Sequence, residues 1–204
     1  FNYGKFNLDI FSIPWTIICF LLFINAFNMF DGYNLQASSY SLIFFSYLFF
    51  KSQLSVLIFI IAISLIFFSI LNFKSKSFLG DSGSYLLAFI LGGLSIKIYN
   101  IGGISYVEEI VILMMIPGID LMRLFFERIF IYKKSPFKPD RNHLHHYLID
   151  VYGEKKTFLI INSIILLPFL IGILISKVFL LTIFQLFVYF SLISFLKRKL
   201  ASIN

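Results

Sequence analysis

The residues with most chemistry to offer lie in one stretch, Lys133 to Tyr147, which reads KKSPFKPDRNHLHHY. It holds all three histidines, His143, His145 and His146, together with Lys133, Lys134, Lys138, Asp140 and Arg141. A guanidinium grips phosphate oxygens with two parallel bonds, so histidines set among Lys and Arg read as an anion-handling loop. A transition metal is the competing reading. No cysteine joins the histidines and no H-E-x-x-H pattern occurs, so phosphate fits better. Lys133 and Lys134 also suit anionic lipid. Pro136 and Pro139 predict an extended approach, because a residue preceding proline is pushed out of the helical region. Asp140 or Asn142 is expected to cap a following helix, which would put His143 and His146 on one face at spacing i, i+3.

Three further clusters carry polar chemistry. In NAFNMFDGYN, Asn25, Asn28 and Asp31 recur every third residue and make one helix face, with Gly32 as the expected helix end. That face either hydrogen-bonds a polar ligand or is a plain polar helix terminus. In FLGDSGS, Gly80 and Gly83 flank Asp81 just before an apolar run. A glycine-rich turn opening a helix suits phosphate, and a carboxylate there suits Mg²⁺, which takes one or two carboxylates plus phosphate oxygens and water. Asp81 as a simple helix cap is the alternative. Phe78, just ahead, reads as a stacking surface for a base or as a membrane-interface anchor. In PGIDLMRLFFER, Asp120, Arg123 and Glu127 form a charged stripe with Arg128 beside it. Internal ion pairs account for Arg123, Glu127 and Arg128. Asp120 lies deeper, and an ionisable group within a span is a functional candidate by default.

The elements that must position these groups are membrane helices. Mean hydropathy is +0.92, with 59% hydrophobic and 13% charged residues over 204 positions. A soluble domain of this length does not need that much apolar surface, so the chain reads as an all-α polytopic membrane helical bundle. Seven apolar runs are expected to cross: Phe11–Phe30, Ser38–Phe50, Leu54–Leu71, Ser82–Ile98, Val107–Phe130, Thr157–Ile175 and Val178–Leu196. Gly92 and Gly93 are expected to permit close helix contact. The lone Cys19 excludes a disulfide framework, and the N-terminal residues do not form a signal peptide. No soluble domain and no internal repeat is evident, so residues 1–204 read as a single membrane domain.

Alternating spans put all four clusters on one side of the membrane. That side collects thirteen Lys and Arg residues against four on the other, including Lys5, Lys51, Lys97 and Lys177. The positive-inside rule makes it cytoplasmic. The net charge of +7 therefore follows topology and is not a nucleic-acid signature. Glu108 and Glu109 fall at the opposite end, where they are expected to be solvated flanks with no chemistry.

Taken in order, NAFNMFDG, FLGDSGS, the P-x-x-D of PGID and SPFKPDRNHLHH resemble the motifs of the polyprenyl-phosphate N-acetylhexosamine-1-phosphate transferases, the WecA/TagO/MraY-like glycosyltransferase family 4. The H-L-H-H form looks most like the WecA and TagO branch. The resemblance implies an integral membrane enzyme with a cytoplasmic active site in a bacterial plasma membrane. It implies transfer of a sugar 1-phosphate, GlcNAc-1-phosphate by default, from a UDP-N-acetylhexosamine to polyprenyl (undecaprenyl) phosphate, releasing UMP. Mg²⁺ is the implied cofactor, with Mn²⁺ as a substitute. Asp81 is then the metal ligand, and Phe78, Gly80, Asn28 and Asp31 bind substrate. Asp120, Arg141, His143, His145 and His146 are then the catalytic set.

The chain departs from that pattern in three places. It has no adjacent aspartates where the family carries a D-D-x-x-D motif upstream, which leads to the expectation of a C-terminal part of a longer transferase. Asn34 and Leu35 stand where the family commonly has Asp and Gly. The stretch Asn72 to Phe78 is a residue short, so no role is assigned to Asn72. These departures support an alternative, a non-catalytic homologue or fragment that binds lipid phosphate or a partner. The partners expected are the lipid, the nucleotide sugar and the membrane, with no nucleic acid; a homo-oligomer is left open.

Overall fold

The computed structural model describes residues 2–3, 6–7, 9–52, 54–135, 140–175 and 177–202. The proposed extended approach at Pro136 and Pro139, together with Lys138 and Lys5, lies outside the described residues. Eight α-helices account for nearly all of the rest: α1 Ser12–Phe30, α2 Gln36–Lys51, α3 Ser55–Phe73, α4 Gly80–Asn100, α5 Glu108–Phe126, α6 Leu144–Tyr152, α7 Glu154–Leu174 and α8 Val178–Ala201. A 3-10 turn, Asp9–Phe11, leads into α1. A two-residue antiparallel ladder pairs Asn2–Tyr3 with Phe6–Asn7.

Each of the seven apolar runs is a helix, and the chain is an integral membrane protein. Five helical stretches are long and apolar enough to cross a bilayer: Asp9–Phe30, Ser55–Phe73, Gly80–Asn100, Glu154–Leu174 and Val178–Ala201. The two other runs fall short for a common reason. Helix α2 has 16 residues, about 24 Å at 1.5 Å per residue, and buries Gln36, Ser38 and Ser41. Helix α5 buries Glu108, Glu109, Asp120 and Arg123. Both are interior helices. Helix α5 packs against α1, α7 and α8, and α2 packs between α3 and α4. A helix that faces protein rather than lipid can carry polar groups if they are paired. The outer helices carry the complementary signature: Phe67 of α3 and Phe187 of α8 are exposed apolar side chains of a lipid-facing belt.

Antiparallel neighbours sort the helix ends. Asn28 near the end of α1 meets Asp81 and Ser84 at the start of α4, and Asn72 near the end of α3 meets Leu35 just ahead of α2. Lys197 near the end of α8 meets Glu127 just beyond α5. The motif-bearing ends therefore share one end of the bundle. The core between the ends is aromatic: Tyr40 packs edge to face on Phe44 and at a tilt on Phe27, and its hydroxyl donates to the Leu113 carbonyl at 3.0 Å.

The glycine pair of α4 divides its work. A Cβ at Gly92 would come within 2.5 Å of the Phe20 ring on α1, whereas a Cβ at Gly93 would meet nothing within 4 Å. Only Gly92 lets α1 and α4 approach. Gly92→Ala should destabilise the protein by about 1–3 kcal/mol, through overpacking. Gly93→Ala should be neutral or gain up to about 1 kcal/mol from helix propensity. Denaturation midpoints of the two variants in one detergent check the contrast; equal losses would contradict it.

Candidate active site

Asp120 is the centre of the polar end of the bundle. It sits in α5, three residues beyond Pro117, and is 5% exposed. Its Oδ1 accepts from Tyr189 Oη at 2.6 Å, Arg123 Nη2 at 2.9 Å and the Leu144 backbone N–H at 3.1 Å. Its Oδ2 meets His143 Nδ1 at 2.8 Å. A carboxylate only accepts, so Nδ1 carries the proton and Nε2 is left for other work. The bond to Leu144 N–H satisfies one orphan donor in the first turn of α6, so a residue of α5 caps a helix 24 positions later. Asp140 and Asn142 do not cap α6 with their side chains as expected. Asp140 accepts instead from Arg128 Nε at 2.9 Å and from the Asn142 N–H at 2.9 Å.

The charged stripe of α5 extends this network. Arg123 also binds Tyr189 Oη at 2.7 Å, the Asn142 carbonyl at 2.6 Å and Glu127 Oε2 at 3.0 Å. Glu127 Oε1 accepts from Lys197 Nζ at 2.8 Å. Asp120 thus joins the ion-pair ladder, with both carboxylate oxygens engaged. Its part is to hold His143 and the α6 start in place. Arg128 leaves the ladder because the helix widens into a π turn over Glu127–Ile131, and it pairs with Asp140.

All three histidines come together, beyond the expected pair. The His143 and His145 rings stack at 5.5 Å, His145 and His146 lie 4.2 Å apart, and His143 and His146 lie 6.2 Å apart. His145 is 3% exposed, and its ring packs against Gly32, where any Cβ would strike the imidazole. Gly32 was expected as a helix end. Asp31 takes the C-cap position of α1 and Gly32 follows it at the helix end as expected, where it is also the seat of His145. Burial, then the neighbouring His146 and His143, lower the His145 pKa to about 3. Burial and the Arg141 guanidinium lower that of His146 too. Arg141 itself is exposed and only 3.8 Å from Asp150, so its guanidinium remains accessible.

The other two clusters meet on the α1–α4 side. Asn28 Nδ2 donates to Ser84 Oγ at 2.6 Å and to Asp81 Oδ1 at 3.3 Å. Asp81 is exposed in the first turn of α4. Burial and the charge of Asp81 raise the Asp31 pKa to about 6. A carboxylate whose proton affinity is raised by a second carboxylate beside it is favourably placed for a cation. Gly80 holds φ +64°, a left-handed turn with open space around it, and Phe78 is 70% exposed beside it. No group of three or more His, Cys, Asp or Glu able to hold a metal occurs among the described residues. The pair Asp81 and Asp31 fits Mg²⁺ held largely by substrate oxygens and water, not a closed all-protein cage. Asn25 is not in the site: its side chain donates to the Leu21 carbonyl on its own helix.

Several residues not singled out complete the site. Asn72 Oδ1 accepts from the Leu35 N–H at 2.6 Å, and its Nδ2 donates to the Ser77 carbonyl at 2.8 Å, tying the loop after α1 to the loop before α4. Asn34 donates to Ser75 Oγ at 2.8 Å across the same junction. Tyr33 Oη and Gln36 Nε2 are buried with no hydrogen-bond partner among the described residues. They are two donors beside the Gly32 turn that a ligand or water would satisfy. Tyr189 had a faint signal in the sequence: Gln185 and Tyr189, one turn apart, interrupt the apolar face of α8.

The family profile described as "Glycosyl transferase family 4" matches residues 1–99. An undecaprenyl-phosphate alpha-N-acetylglucosaminyl 1-phosphate transferase of Thermotoga maritima is 31% identical over 157 residues, 77% of this chain and 50% of the relative. A phospho-N-acetylmuramoyl-pentapeptide-transferase of Clostridium beijerinckii is 28% identical over 182 residues, 82% of this chain and 52% of the relative. The Escherichia coli K12 protein bearing the same name as the first is 28% identical over 167 residues, 74% and 44% of the two chains. The chain spans about half the length of the curated relatives it matches. No solved structure matches it.

A neutral, buried His145 has a consequence for stability. A base whose folded pKa lies below its unfolded value near 6.5 contributes stability in full above that value and loses it as pH falls towards about 3. Inside that window the loss is about 1.4 kcal/mol per pH unit. Asp31 acts in the opposite sense, since its raised pKa favours the folded state as pH falls through about 6. The comparison of wild type with His145→Gln separates the two. Below pH 6.5 the wild-type unfolding free energy should fall more steeply with acid than the variant's; parallel pH profiles would contradict the burial of a neutral ring.

Proposed function

Because the chain belongs to glycosyl transferase family 4, we propose that it carries the cytoplasmic active site of a Mg²⁺-dependent polyprenyl-phosphate sugar-1-phosphate transferase. The donor is a UDP-N-acetylhexosamine, with UDP-GlcNAc first among candidates, and the acceptor is undecaprenyl phosphate or a similar lipid. A phosphate oxygen of the lipid bonds to the phosphorus attached to the sugar, the pyrophosphate P–O bond breaks, and UMP leaves. The product is a lipid diphosphate sugar that begins a cell-surface glycan.

The observation that carries this reading is convergence. Four motifs from different helices meet at one end of the bundle through Asn28 on Asp81, His145 on Gly32 and His143 on Asp120. Phosphoryl transfer asks for little covalent help from protein. It needs positioning and neutralisation of charge on phosphate oxygens. Mg²⁺ bound at Asp81, with Asp31 adjacent, would supply most of that neutralisation on the pyrophosphate. Asn28 orients Asp81. Arg141 and His146, accessible and half-buried respectively, are placed to grip the phosphates or sugar. His143 Nδ1–H donates to Asp120, which leaves Nε2 to accept a hydrogen bond from the substrate. His145 stays neutral and fixes the histidine loop against the Gly32 turn. Phe78 offers an exposed ring on which uracil can stack. Asn34, the departure that raised a non-catalytic alternative, is engaged in bracing the two loops, so its identity is explained without loss of the site.

The test uses membranes carrying the full-length gene product, polyprenyl phosphate, Mg²⁺ and a panel of UDP-sugars. The expected result is lipid- and metal-dependent UMP release with one N-acetylhexosamine donor, reduced at least ~100-fold in Asp81→Asn. Mn²⁺ should substitute for Mg²⁺. No release with any donor from a well-expressed protein would favour a non-catalytic binder. Release unchanged in Asp81→Asn would remove Asp81 from the metal site.

A further inference from the structure

The end of the bundle opposite the histidines was expected to be chemically blank, with Glu108 and Glu109 solvated. Both are buried instead, at 7% and 6% exposure. They open α5 at the wall of a cavity of about 550 Å³ formed by the far ends of α2, α5, α7 and α8. The loop before α5 is seated firmly there: a Cβ at Gly103 would collide with the Lys51 carbonyl at the end of α2. Helix α7 meets the start of α8 closely at Gly172, where a Cβ would lie 3.3 Å from Val178.

The two carboxylates are in different situations. Glu109 is fully engaged: Oε2 accepts from Lys51 Nζ and from Tyr47 Oη, each at 2.9 Å, and Oε1 accepts from the Tyr106 N–H at 3.3 Å. Its neighbour Glu108 lines the same cavity, yet its Oε2 is buried with no hydrogen-bond partner among the described residues. A position in the first turn of a helix explains an acidic residue at a surface. It does not explain a buried, unpaired carboxylate oxygen, which costs free energy until a donor reaches it. Lys177, exposed and also lining the cavity, lies at the start of α8. Its ammonium is not part of any ion pair among the described residues. Ile173, Val178 and Leu180 supply an apolar margin beside it. The cavity thus offers an acceptor in need of a donor, a cation on its edge and an apolar margin at the membrane boundary.

We propose that this cavity binds the head group of a zwitterionic primary-amine phospholipid, its ammonium on Glu108 and its phosphate at Lys177, with acyl chains leaving along α7 and α8. A primary ammonium brings three N–H donors to the buried Oε2, whereas a quaternary ammonium brings none. The phosphate finds a cation that no carboxylate among the described residues engages. A lipid without a head-group ammonium would meet Lys177 but would bring no cation to Glu108. The site lies at the opposite end of the bundle from Asp120, and it stands independently of the proposed transfer reaction.

The experiment is native mass spectrometry and thermal unfolding of the purified full chain in detergent. The lipids are phosphatidylethanolamine, its mono-, di- and trimethylated forms, and phosphatidylglycerol, all with the same acyl chains. Free phosphoethanolamine is the soluble control. Affinity should fall stepwise along the methylation series, with the primary amine about tenfold or more tighter than the quaternary form. Glu108→Gln should remove most of that discrimination, and Lys177→Gln, an exposed substitution, should weaken every phospholipid without changing their order. Equal binding across the methylation series in the wild type would overturn the proposal whether or not either variant folds. So would discrimination retained in Glu108→Gln, or free phosphoethanolamine binding as tightly as the lipid.

Discussion

A carboxylate inside a membrane bundle has to be paid for by its partners, and Asp120 has four. Tyr189 comes from α8, Arg123 from its own helix, and His143 and Leu144 from the loop and helix that follow 23 and 24 positions later. Removing any one strands buried charge or a buried donor, which costs more than the lost bond is worth. The network therefore acts as a single clamp. It fixes α5 against α8, starts α6, and sets the tautomer and direction of His143. Leu144 and Leu148 anchor α6 in the core, while this clamp and the seat of His145 on Gly32 fix the histidines.

The architecture makes such a clamp affordable in structural terms by placing polar residues on interior helices. Helices α2 and α5 face protein on most sides, and α1, α3 and α8 present the apolar belt. Polar chemistry then develops at both ends of α5. At one end, Asp120, Arg123 and Glu127 converge on the histidines; at the other, Glu109 is locked to Lys51 and Tyr47 while Glu108 opens into a cavity. The proposed transfer, which would draw a soluble nucleotide and a membrane lipid to one place, would need such a division: a rigid interior, a polar end and sides that tolerate lipid.

Much of this was readable in the chain. Long apolar runs gave every helix except α6, because the periodicity and length of such runs are dictated by the bilayer. The polar groups that converge at one end of the bundle were readable as well, since Asp, His and Asn are costly within apolar helices and stand out there. What stayed hidden depended on contacts distant in sequence. Gly32 read as a helix end, and it follows the C-cap of α1, but its second constraint, the imidazole of His145 113 positions away, was not visible. Asp140 and Asn142 read as caps because their side chains suit that role, but Asp120 reached the Leu144 N–H first. Glu108 and Glu109 read as solvated because hydropathy is blind to which helix ends are covered by a neighbour. Asn72 bridges two loops through contacts that no local pattern announces.

Asp120 orders the histidine loop through His143 and the start of α6. Hydrogen–deuterium exchange of the full chain with Asp120→Asn, read peptide by peptide, tests it most directly. The account predicts faster exchange confined to residues 140–152, with the amides of α4 and α2 unchanged. Protection of residues 140–152 equal to wild type would contradict it, because the loop would then be held by something other than Asp120.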